Sequence, residues 1–141
     1  MNNINVGRVL LGGLLAGLVM NIGEFLLNAV VLAEPMKEEF RRLNLPPEPS
    51  GRTIAIWVVL TFILGIAIVY LYALIRPRLG VGVKTAICAG SLAWFFVSLY
   101  VGLSFLAMGL FSTGLTVTGM VWAFFEYTIA AVAGAWLYKE A

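Results

Sequence analysis

Four long apolar runs, at about residues 9–33, 53–75, 85–111 and 115–138, take up most of this 141-residue chain. Each reaches or exceeds the roughly 20 residues that an α-helix needs to cross the hydrocarbon core of a bilayer. A spanning segment must satisfy its own backbone polar groups. Continuous apolar runs do this as helices, whereas barrel strands alternate in polarity. The expectation is an all-α integral membrane protein with one transmembrane domain over residues 1–141. Its four helices form a bundle, and residues 34–52 form an interfacial loop.

Composition narrows the function classes. Hydrophobic residues make up 62% of the chain and charged residues 11%, far from the roughly 25% charge of soluble domains. This excludes a soluble globular domain and a disordered chain. A net charge of +2 from 9 basic and 7 acidic residues is too small and too scattered to bind nucleic acid. The expected partners are the lipid bilayer and either a second copy of the chain or another membrane protein.

Histidine is absent, which removes His-ligated haem, His-containing zinc sites and Ser-His or Cys-His nucleophile pairs. The single cysteine, Cys88, cannot form an internal disulfide and reads as a small buried hydrophobe. No P-loop, dinucleotide fingerprint or GxSxG elbow occurs. No catalysis, cofactor or metal is therefore expected.

The first run follows Arg8 and is much longer than a secretory h-region; it also carries Asn21, Glu24 and Asn28. It reads as a retained span. In the loop that follows, Pro35 suits a first helical turn, and Met36, Phe40 and Leu43 recur on one stripe of a charged segment. That pattern predicts a short helix on the membrane surface, stopped by Pro46, Pro47 and Pro49. Basic residues set the orientation. Arg8, Arg76, Arg78, Lys84 and Lys139 lie on one side; Lys37, Arg41, Arg42 and Arg52 lie on the other, diluted by four glutamates. The compact turn at Arg76-Pro77-Arg78 places both termini in the cytoplasm of a multi-pass protein of the inner membrane.

Chemistry concentrates on the first and fourth spans. Gly13, Gly17, Asn21, Glu24 and Asn28 recur at spacings of four, four, three and four, which puts them on one helical face. Gly119, Ala123, Glu126, Ala130 and either Ala133 or Gly134 form a second small-residue stripe with one acid in it. Gly13, Gly17, Gly119, Ala123 and Gly134 are the expected helix-packing positions. The two stripes are expected to face each other or a common interior.

Glu24 lies 16 residues beyond Arg8 and Glu126 lies 13 residues before Lys139. Their depths are then roughly 24 and 20 Å at 1.5 Å per residue. No Lys or Arg lies at that depth, so Glu24, Glu126, Asn21 and Asn28 are candidates for a proton or cation site, or for a polar network that sets helix register. The aromatic residues of the third run fit interfacial belts and lipid-facing packing.

The stretches Gly12–Gly17 with Asn21-Ile22-Gly23-Glu24, Tyr72–Arg78 and Gly134–Tyr138 together resemble small four-span bacterial membrane proteins of unassigned function. Glu24 is similar in placement to the membrane-embedded glutamate on the first span of small multidrug resistance transporters. Those proteins are shorter and lack a charged surface helix. Asn21-x-x-Glu24 also matches a fragment of the glutathione-site motif in four-span eicosanoid and glutathione enzymes, whose arginines have no counterpart within a span here. Two functional expectations follow. The first is an accessory or scaffold subunit, or a homo-oligomer, without catalysis. The alternative is a proton- or cation-coupled small-solute transporter built on Glu24 and Glu126.

Overall fold

A computed structural model describes residues 3–140, all of whose regular elements are helical. α1 (Val6–Leu26) runs into a π turn at Leu27–Val31, and α2 (Ala33–Arg42) follows at once. α3 (Gly51–Leu79) and α4 (Val83–Trp94) come next. A second π turn (Phe95–Leu99) joins α4 to α5 (Tyr100–Ala107), and α6 (Thr113–Leu137) ends the fold. Among the described residues, four segments are long and apolar enough to cross a membrane: Val6–Val31, Gly51–Leu79, Val83–Ala107 and Thr113–Leu137. These four candidate spans mark a multi-pass membrane protein.

Local sequence explains where the helices begin. Asn5 accepts from the Arg8 amide at 3.1 Å, and Ser50 accepts from the Thr53 amide at 3.2 Å, so both side chains cap orphan N–H groups. The expected turn at Arg76-Pro77-Arg78 is instead the last turn of α3, which ends only at Gly80 with φ +86°. Proline removes one backbone donor, a small loss near a helix end, whereas Gly80 takes the left-handed conformation that reverses the chain.

α1 packs against α3 on one side and α6 on the other; α4 packs on α6 and α3 and closes the ring. The core gathers towards the end that carries the α3–α4 turn. Ile68, Val69, Tyr72, Ala73, Ala86, Ala89, Ala130 and Ala131 are all buried there. Small residues set the approach. A Cβ on Gly65 would lie 2.5 Å from the Gly17 nitrogen, and one on Gly90 would lie 2.7 Å from the Tyr127 carbonyl oxygen. Backbone approach of this kind gains dispersion contact where lipid supplies no hydrophobic drive.

The glycine stripe of α1 divides between partners. Gly13 faces Ile66 and Gly17 faces Phe62, so both pack on α3 and not on the acid-bearing helix. Gly134 of α6 meets Val69, Gly12 and Ala16, and Ala123 is buried. Gly119, expected among the packing positions, has nothing within 4 Å of an added Cβ. Its side of α6 lines a groove at the other end of the bundle. There the first half of α3 is exposed nearly all round, and α5 rests mainly on α6.

Candidate functional site: a carboxyl pair beside a lateral groove

Glu126 sits on the inward face of α6 and is only 6% exposed. Trp122, one turn earlier, donates its indole N–H to Glu126 Oε2 at 3.0 Å. The opposing surface is Gly23 of α1, where an added Cβ would fall 2.3 Å from that same oxygen. Only a residue without a side chain leaves room for the carboxyl to lie against the α1 backbone. The next residue on α1 is Glu24, so the α1 backbone against which Glu126 is seated carries a second carboxyl beside it.

The asparagines take different parts. Asn28 donates through Nδ2 to Glu24 Oε2 and to the Glu24 carbonyl oxygen, both at 2.9 Å. It belongs to the π turn, where the altered register turns the residue towards the groove while it keeps hold of Glu24. Asn21 does not join the acids. Its Nδ2 donates to the Gly17 carbonyl at 2.9 Å and reaches the Val58 carbonyl at 3.4 Å, which ties α1 to α3.

No ion pair reaches either glutamate among the described residues. The ion pairs there belong to Lys37, Arg42 and Arg76. Glu126 Oε1 is buried without an amide, indole or hydroxyl donor. The site therefore holds more acceptors than donors, and it suits a proton or another positively charged donor. No group of three or more His, Cys, Asp or Glu side chains comes together among the described residues.

Beside the pair lies a groove of about 230 Å³ between the end of α1 and α5, floored by α6. Asn28, Ser98 and Thr116 supply its polar atoms, and Phe105, Phe111 and Met120 much of its apolar wall. Both π turns border it, through Asn28 and Ser98. α2 covers one end. Glu39 Oε1 accepts from the Ser112 amide at 3.1 Å and so caps the start of α6 from a different helix. Arg42 donates to Glu39 Oε2 at 2.6 Å and also to the Leu110 carbonyl.

Sequence reasoning passed over Gly23, Trp122 and Glu39. A tryptophan four residues before a buried acid was a usable signal for Trp122. For Gly23 and Glu39 the partners are distant in the chain, and no local pattern marks them. Comparison of the chain with protein-family models, with curated proteins and with solved structures finds no match.

Proposed function

We propose that this protein is a proton- or cation-coupled small-solute transporter of a bacterial inner membrane, with Glu24 and Glu126 as one shared site. The observation that carries this reading is a buried carboxyl on α6, Glu126, seated against α1 at Gly23 beside Glu24, with no ion pair to either acid among the described residues. An isolated ionised carboxylate in the hydrocarbon core costs several kcal/mol. A cycle in which protons and a cationic solute exchange at the pair puts that cost to use. The basic cluster Arg76, Arg78 and Lys84 orients the α3–α4 turn and both termini to the cytoplasm. A cysteine at Leu79 should then resist an impermeant thiol reagent in intact cells.

Proteoliposomes with an internal pH dye test the coupling. Wild-type protein should pass protons in response to a cationic solute gradient, and Glu24→Gln and Glu126→Gln should each abolish that flux while remaining folded. Unchanged flux in both variants overturns the reading.

A second reading, the non-catalytic scaffold subunit or homo-oligomer, draws on a different feature. Ile54, Trp57, Val59, Leu60 and Ile63 leave the first half of α3 broadly exposed, as an interface with another membrane helix requires. Extraction in mild detergent should then yield a complex larger than one chain. A uniform monomer removes this reading.

A further inference from the structure

Three features of the groove define what can occupy it. The first is its opening. α1 and α5 both lie on α6 and share no extended contact with each other. The groove therefore opens sideways between helices, at a level where apolar segments face the bilayer. The second is its cover. Leu32, which is buried, and Met36 line the end next to α2. The Glu39–Ser112 and Arg42–Leu110 bonds tie α2 to the start of α6 over that end, which leaves the side between α1 and α5 as the groove's opening. The third is its polarity. Asn28, which lines the groove, spends its amide donor on Glu24, and its Oδ1 receives no donor among the described residues; Glu126 Oε1 is buried without one. An occupant has to be apolar, bilayer-soluble and a donor.

We propose that the groove binds a small bilayer-dissolved amine, its apolar part along Phe105 and Phe111 and its nitrogen at Asn28 and Glu24. This rests on the reading of Glu24 and Glu126 as a cation site and names the ligand class. A volume of about 230 Å³ lies below the roughly 300 Å³ at which pockets for drug-sized ligands begin, so the amine is small. It enters neutral from the bilayer. A proton held on Glu24 passes to its nitrogen, so an amine and a carboxylic acid become an ammonium–carboxylate pair. The N–H groups of that ammonium replace the Asn28 amide as donor to Glu24 Oε2, and charge assistance makes the new bond stronger than the old one.

The test uses the full chain in nanodiscs of neutral lipid, with Cys88→Ala to remove the native thiol and Gly119→Cys as a reporter inside the groove. Nothing lies within 4 Å of a Cβ at position 119, so the reporter fits. A lipid-soluble maleimide modifies it, and octylamine and 1-octanol compete. Octylamine should give half-protection at a concentration about tenfold lower than 1-octanol, the difference expected between a charge-assisted bond and a neutral one. Asn28→Leu, with protection expressed relative to its own maleimide rate without competitor, should remove that advantage. Equal protection by the two competitors, or an advantage that survives Asn28→Leu, overturns the proposal. The competitor comparison needs no change at the carboxyl pair, so it stands even if Glu24 variants fail to fold. Protection without proton flux keeps this site and removes the transporter, and flux without protection does the reverse.

Discussion

The half of the bundle next to the α3–α4 turn and the half next to α2 are made from the same apolar vocabulary, yet they pack differently. In the first, Gly65, Gly90 and Gly134 stand where an added Cβ would strike a neighbouring helix at 2.4–2.7 Å. In the second, Gly119 has nothing within 4 Å and Gly102 is crowded only by the flexible side chain of Met120. Both π turns lie in this looser half. Membrane helices gain little from burying one apolar surface against another, so close approach depends on small residues aligned across an interface. Where they align, the helices seal; where they do not, the helices part and leave a groove. The carboxyl pair stands where the two regimes meet.

The contrast breaks most readily at its glycines. Gly65→Val drives a branched side chain into the backbone of α1 at Gly13 and Gly17, neither of which can yield. It should destabilise the fold by about 3 kcal/mol or more, read as a lower midpoint in denaturant titration of the solubilised protein. Gly119→Ala in the loose half should instead be neutral or stabilising by up to about 1 kcal/mol, from helix propensity alone. Equal losses at the two positions would erase the distinction.

A smaller effect sharpens the boundary. Trp94 donates its indole N–H to the Met120 carbonyl at 2.8 Å, just before the second π turn. Trp94→Phe keeps the ring packed on Phe124 and removes only that bond. The expected cost is about 1 kcal/mol, measured as a fall in Tm, with faster amide exchange from residue 95 onward. An unchanged exchange pattern would mean that the bond does not brace the junction.

The smallest effect concerns the cover of the loose half. Hydrogen bonds from Arg42 hold the Glu39 carboxyl below its ordinary value of 4.5. A carboxyl depressed on folding stabilises the fold above its unfolded value, and that contribution disappears as pH falls through the folded one. Acidification below the ordinary carboxylate range should therefore loosen α2 and speed proteolysis within residues 43–50, with no such change between pH 6 and 8. Glu39→Gln should flatten the acid dependence while still accepting from the Ser112 amide. A cleavage rate independent of pH in the unmodified protein would show that α2 is held by its apolar stripe alone.

Much of the architecture was legible in the chain. The four apolar runs predict the spans to within a few residues, and the stripe Met36, Phe40 and Leu43 predicts α2. The similar depths of Glu24 and Glu126 anticipate that they can meet. Other features were not legible. The glycines Gly13 and Gly17 share a face with the acids, yet they pack on α3, because a helical face wide enough to hold five residues touches two neighbours at once. Asn21 follows them to the Val58 carbonyl and leaves Asn28 as the sole asparagine on Glu24. The π turns have no simple sequence mark, because each depends on how the helix must pass its neighbours.

What the sequence determined alone is therefore the set of elements and the depth of each polar group, since length, hydropathy and the 1.5 Å helical rise are properties of single helices. Which helices touch, and through which faces, was decided by tertiary packing. Gly23 became the seat of Glu126, Glu39 the cap of α6 and Gly119 the wall of a groove only once helices distant in the chain lay side by side. Each of those roles depends on a steric or hydrogen-bond match between two surfaces, and a match of that kind is not a property of either segment by itself.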